Sequence, residues 1–362
     1  MSATKTTRYR LCRLRVALTV LTTVPATVLA AARAAALATV LLTVSGCAQQ
    51  PSDASPETVD PDPGAASATL ANPFRLVEHW AQLPEGFVWG EAIAVETDAD
   101  GNLYVFHRCA SDTCVDRTEP PLLKFSPSGE LLMSWGEGLF VYPHGLDVDN
   151  EGNIWVTDAR HEGGKGEVVL KFSPEGEVLM TIGTPGVSGS GPYTFDGVAD
   201  VAVADDGNIF VADGHLNNRI VKYAPDGTFL MAWGQAGTGP GDLNQPHSIS
   251  LDAQGRVFVA DRNNNRVQIF DQDGAFIDAW TDFGRPSGLH VSADNTLYVA
   301  DSQSTAEINP GFEIGIYFGS AIDGTVAGFV GNTLTESVTE APDGNLFSGL
   351  VAGRGLQHFV RE

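Results

Sequence analysis

The chain has 362 residues, 43% of them hydrophobic, and its 45 acidic against 21 basic residues give a net charge of −24. That balance speaks against nucleic acid as a partner, because phosphate binding needs clustered Lys and Arg. Acidity of this degree serves solubility and favours cations near the surface.

The first 46 residues read as an export signal. No acidic residue occurs between Thr4 and Ser45, and Arg8, Arg10, Arg13 and Arg15 precede an apolar stretch that Arg33 interrupts. Basic, then apolar, then small residues is the order of a secretory signal. It ends at Val44-Ser45-Gly46-Cys47, which resembles a bacterial lipobox, in which the Cys is acylated and becomes the mature N-terminus. The expectation is a protein of the bacterial cell envelope, held outside the cytoplasmic membrane by a lipid on Cys47; a plain transmembrane anchor is the alternative. Processing would remove six basic residues, leaving 15 against 45, a net of −30. Residues 47–72 carry Pro, Ser, Ala and acid without apolar periodicity and read as a flexible tether. The globular part then spans 73–362, with a monomer expected.

That part repeats itself. One motif recurs as "GNLYVFHR" at 101, "GNIWVTDA" at 152, "GNIFVADG" at 207, "GRVFVADR" at 255, "NTLYVADS" at 295 and "GNLFSGLV" at 344. A second follows it: "LLKFSPSGELLMSWG" from 122, "VLKFSPEGEVLMTIG" from 169, "IVKYAPDGTFLMAWG" from 220 and "VQIFDQDGAFIDAWT" from 267. "SPSG", "SPEG", "APDG" and "DQDG" read as hairpin turns between β-rich runs. Each unit is about four short strands, and the spacing is that of a propeller blade. The fold predicted is all-β, a six-bladed β-propeller. Its last blade lacks a strand, which "FRLVEHWAQLP" at 74–84 can supply, closing the ring and covering the exposed edge. The units resemble NHL repeats.

Eight residues before the turn Gly or its equivalent, at the start of each innermost strand, stand His144, Ala199, His247, Ser287 and Glu336 in blades two to six, with the equivalent of blade one near Ala92. Metal-type ligands thus fall in alternate blades, about 120° apart around one axis. His144, His247 and Glu336 form the predicted shell, suited to catalytic zinc or to ferrous iron. At the same mouth Arg108 and Arg262 can clamp an anionic substrate, and His215 can take a proton. Cys109 and Cys114 are expected to form a disulfide in an exported protein. Asp158, Asp213, Asp261 and Asp301 recur at one place in four blades and read as braces of the blade-to-blade turn.

The matches "HR" at 107–108, "PHGL" at 143–146, "ADGHLNNRI" at 212–220, "PHS" at 246–248 and "ADRNNNRVQ" at 260–268 resemble the peptidylglycine amidating lyase family. That family cleaves a peptidyl-α-hydroxyglycine into a peptide amide and glyoxylate. The resemblance implies zinc at His144 and His247, an anionic substrate at Arg108 and Arg262, and calcium held by the backbone carbonyls of Val95 and Leu146. The chain departs from the pattern at three places. Glu336 stands for the third zinc His, Ser337 for a calcium-binding Asp, and His215 for the Tyr that acts as base, with Leu216 beside it in place of a disulfide Cys. A non-catalytic binding propeller and a metal-dependent hydrolase such as a lactonase remain as alternatives.

Overall fold

The computed structural model describes residues 70–362; the expected export signal, the expected lipidation site Cys47 and most of the expected tether lie outside the described residues. Among the described residues no helix is long and apolar enough to cross a membrane.

Six four-stranded antiparallel sheets form the predicted six-bladed propeller. The innermost strands are Ala92–Thr97, Pro143–Val148, Val198–Val203, Pro246–Leu251, Pro286–Val291 and Thr335–Glu340. The second strands are runs such as "IWVTD" in Ile154–Asp158 and "VFVAD" in Val257–Asp261, buried at every residue. Neighbouring blades cover both of their faces, so these strands need no polar alternation. The outermost strands do alternate: Phe229–Trp233 shows a more accessible side chain at every second position, because one face meets solvent. The hairpin turns of the second motif place Gly129, Gly176, Gly227 and Gly274 at φ between +78° and +85°, where a side chain would be strained.

Blade six closes as the sequence indicates. Its strands Thr335–Glu340, Leu346–Leu350 and Gly355–Arg361 are completed by Phe74–Val77, which pairs antiparallel from Phe74 against Arg361 to Val77 against His358. Only four residues of the 74–84 segment serve as that strand. The chain then turns, and Trp80 packs its ring 4.6 Å from Phe347 of blade six and 5.8 Å from Phe125 of blade one. The seam is therefore sealed by a strand and by an aromatic wedge.

Candidate metal centre

Each innermost strand carries a β-bulge at the same place. Pro143 pairs with Asp158 but Leu146 with Val156, and Pro246 pairs with Asp261 but Ile249 with Val259. The four other blades slip likewise after their first pair. A bulge leaves one residue outside the ladder and re-aims its side chain. The second residue of the strand sits in that bulge: Ile93, His144, Ala199, His247, Ser287 and Glu336 in turn. Repetition of one local defect is what turns this position toward the axis in every blade.

His144 Nδ1 lies 2.8 Å from the Ala199 carbonyl oxygen, and His247 Nδ1 lies 2.8 Å from that of Ser287. Both acceptors are the bulge residues of the next blade. A carbonyl only accepts, so each Nδ1 carries the proton and each Nε2 keeps its lone pair, the tautomer a metal ligand needs. The third imidazole is His215, from the loop after the second strand of blade three. Its Nε2 is 3.1 Å from His144 Nε2, and one ring nitrogen from each of His144, His215 and His247 lies within 4.8 Å of the others. Two glycines admit it: a Cβ on Gly214 would run into the Pro246 carbonyl oxygen, and one on Gly197 into His215 itself. Bonds of about 2.0–2.1 Å from zinc to nitrogen put neighbouring ligand atoms roughly 3.4 Å apart, so the cluster fits such an ion without large movement.

Glu336, the expected third ligand, stands at the edge of this group. Its Oε1 is 3.5 Å from His247 Nε2 and 3.1 Å from Arg262 Nη1. The guanidinium attracts the carboxylate more strongly than a neutral imidazole does, which leaves His215 as the residue brought into the cluster with His144 and His247. Burial, and then the charges of Arg262, Arg108 and Arg160, push the His215 pKa down to about 3. His144 and His247 are also held well below the ordinary value, by burial first and then by neighbouring imidazoles and arginines. All three stay neutral at physiological pH, as metal ligation requires.

The mouth around the cluster is cationic. Arg108 is buried, donates from Nε to the Pro143 carbonyl oxygen at 3.1 Å and pairs through Nη1 with Glu91. The Cys109–Cys114 disulfide, with Cα atoms 5.1 Å apart, ties the turn that follows it. Arg262 is held by Glu336 through Nη1, while its buried Nε has no partner. Arg160, a residue the motif comparison passed over, lies with its Cζ 3.7 Å from the Tyr142 ring centroid, and Arg108 Cζ lies at the same distance. The signal for it was positional: Arg160 follows Asp158 by two residues, as His215 follows Asp213.

His107 and the recurring aspartates prove structural. His107 receives the Gly90 N–H at Nδ1, and its Nε2 meets the Pro120 carbonyl oxygen at 3.0 Å. The aspartates brace the connections between blades, as their recurrence indicates. Asp158 accepts from the backbone of Val141 and Tyr142, Asp213 from Asp196, Asp261 from Asn244 and Asp301 from Arg285. Each clamps the loop that enters the innermost strand just before the bulge.

Below the cluster the innermost strands line a channel of about 1100 Å³ that includes Val95 and Leu146, the two expected calcium carbonyls, with Glu96, Asp147, Asp200 and His290 beside them. Burial first, and then the Glu96 charge, raises Asp147 to about 8; burial likewise raises Asp200 to about 7. Folded protein therefore keeps protons on these two carboxyls that the unfolded chain has released, and their contribution falls as pH rises from about 4 to 8. The histidines act oppositely. Unfolded imidazoles bind protons below about 6.5 while His107, lowered by burial to about 4, and the three cluster histidines stay neutral, so stability also falls below that pH. The metal-free protein is expected to lose melting temperature as pH rises from about 6.5 to 8, where Asp147 and Asp200, with Asp158 and Glu167 that burial likewise raises to about 7, release their protons; a rise in melting temperature over that range would contradict these assignments.

The NHL repeat family matches residues 140–162 and 243–270, within blades two and four. With six four-stranded sheets around one channel, the chain is a six-bladed β-propeller that matches the NHL repeat in two of its blades. The mouse "NHL repeat-containing protein 3" is 39% identical over 239 residues, which span 62% of this chain and 66% of that protein. The Drosophila melanogaster "Peptidyl-alpha-hydroxyglycine alpha-amidating lyase 1" is 32% identical over 266 residues, 64% of this chain and 47% of the fly protein. The chain thus spans less than two thirds of either relative. Among solved structures, a gluconolactonase from Xanthomonas campestris shares a TM-score of 0.55 at 17% identity, covering 82% of this chain and 92% of that one; at such identity the likeness shows the fold alone.

Proposed function

We propose that this chain is a metal-dependent carbon–nitrogen lyase of the cell envelope, anchored by lipid on Cys47, that cleaves a peptidyl-α-hydroxyglycine-like carbinolamide into an amide and glyoxylate. The observation that carries this reading is the convergence of three neutral imidazoles beside a carboxylate and a cationic mouth, in a chain 32% identical to a protein named as such a lyase.

His144, His215 and His247 would hold the ion, and three imidazoles suit zinc, with ferrous iron as the other candidate. An ion there supplies Lewis acidity that lowers the pKa of a hydroxyl. The chain's own residues do the rest. Glu336, 3.5 Å from His247 Nε2, takes the proton of the substrate hydroxyl. As the carbonyl of glyoxylate forms, the carbon–nitrogen bond breaks with its electron pair on nitrogen, and the amide nitrogen regains the proton. Arg262 positions the Glu336 carboxylate for both transfers. This exchanges the two roles read from sequence, making His215 a ligand and Glu336 the base.

The calcium expected at Val95 and Leu146 is kept as part of the proposal, with Glu96 and Asp147 as the carboxylates nearest in sequence. Its function there would be structural, since calcium prefers oxygen donors.

Glyoxylate release from an N-acyl-α-hydroxyglycine tests the activity. The metal-loaded protein is expected to release it in step with the amide product. A rate no higher than buffer would overturn the lyase. Lactone hydrolysis in its place would favour the hydrolase, and protein purified without near-stoichiometric transition metal would favour a non-catalytic binding propeller.

A further inference from the structure

We infer that Arg160, laid flat against Tyr142 at the mouth of the cluster, is the anchor for the carboxylate of the substrate and so determines specificity for an anionic tail. The inference rests on the lyase reading only for the identity of the anion.

The two arginines that sequence assigns to that task are already engaged by internal carboxylates. Arg108 pairs with Glu91, and Arg262 with Glu336. To receive a substrate carboxylate through the same atoms, either would have to surrender a largely buried ion pair and leave its internal carboxylate without a partner. Arg160 faces no such cost. Among the described residues it makes no ion pair and no hydrogen bond; its contact is the stack on Tyr142.

The stack itself prepares the guanidinium. Arg108 and Arg160 both lie 3.7 Å from the Tyr142 centroid, and two groups at that distance must occupy opposite faces of the ring. Arg108, fixed by Glu91 and by the Pro143 carbonyl, fixes the ring; the ring in turn fixes the plane of Arg160. An exposed arginine ordinarily loses rotamer freedom when it binds, which is why exposed ion pairs contribute little. A guanidinium already held flat keeps its edge free for bidentate pairing and loses less freedom on binding.

The location is right for the reaction. Arg160 holds in blade two the position that His215 holds in blade three, and its charge reaches His215. The unpartnered Nε of buried Arg262 also calls for an acceptor. A carboxylate held by Arg160 would leave both internal ion pairs intact.

The probe is a pair of ligands that differ only in the charge at issue, N-acetylglycine and N-acetylglycinamide, titrated calorimetrically into the metal-loaded full-length protein at low ionic strength. Wild type is expected to bind the acid about tenfold more tightly than the amide. In Arg160→Gln the ratio should fall to near one, and in Arg160→Lys, which keeps the charge but not the flat fork, to an intermediate value. A Gln variant that keeps the wild-type ratio, or a wild type without preference, overturns the anchor. Because the readout is binding, it is independent of turnover: missing glyoxylate release with a ratio that depends on Arg160 removes the lyase and leaves the anchor.

Discussion

His215→Ala is expected to copurify with less than a tenth of the metal bound by the wild type, whereas Glu336→Gln keeps more than half. The physical ground is the arrangement of lone pairs. His144 and His247 direct Nε2 inward because their Nδ1 protons are committed to the Ala199 and Ser287 carbonyls, and His215 adds the third nitrogen, 3.1 Å from that of His144. Two nitrogens alone leave half of a tetrahedral shell to water. Losing even an outer-shell partner of a metal site costs 10- to 100-fold in affinity, and losing a ligand costs more. Glu336 is committed elsewhere, to Arg262 at 3.1 Å, so its amide variant removes the proposed base and keeps the shell. Elemental analysis of the two purified variants decides between the assignments. Metal lost from Glu336→Gln but retained by His215→Ala would restore the carboxylate as third ligand and His215 as base. Glyoxylate release should fail in both variants, for want of the ion in one and of the base in the other.

Much of this arrangement was legible in the chain, and what escaped has a physical reason. The "SPSG"-type turns and the strand-rich motifs defined the blades, since hairpin glycines and fully buried second strands leave strong local signatures. The register that placed His144, His247 and Glu336 at one ring position was correct because the bulge repeats in every blade. The approach of His215 to the imidazole cluster escaped because the residue comes from another loop and reaches the axis only through close backbone packing at Gly197 and Gly214; no spacing within a motif encodes that approach. The pairing of Glu336 with Arg262 joins blades six and four and is a property of the closed ring alone. In blade five the second hairpin, Gly315–Ser320 with Val326–Gly331, has diverged from the motif shared by its neighbours, so only the pairing of the strands reveals it. The recurring aspartates do brace the turns between blades as their period indicates, but sequence could not say that each does so by accepting from the backbone just before the innermost strand.

That bracing gives the second large effect. Asp261→Ala should destabilise the protein by about 3–5 kcal/mol and weaken metal binding with it. The Asp261 side chain is fully buried and accepts from the Asn244 backbone N–H at 2.6 Å, from Arg266 Nε at 2.7 Å, from Asn264 Nδ2 at 2.8 Å and from Gln268 Nε2 at 2.9 Å. Truncation leaves the Asn244 N–H and Arg266 Nε with no acceptor in a place water cannot easily reach, while Asn264 and Gln268 keep only their bonds to the Gly237 and Asp242 carbonyl oxygens, and Arg266 becomes an uncompensated, largely buried charge. Asn244 stands three residues before His247, so loosening it frees the entrance to the bulge that aims the ligand. Asp261→Asn keeps one acceptor oxygen and the shape but not the charge, and its melting temperature should fall between those of wild type and Ala. Thermal melts read beside metal content separate the two consequences, because excess metal should recover part of the lost melting temperature by mass action. An Ala variant that melts within a degree of wild type would mean that the clamp does not hold the strand, and the account of how His247 is aimed would fail with it.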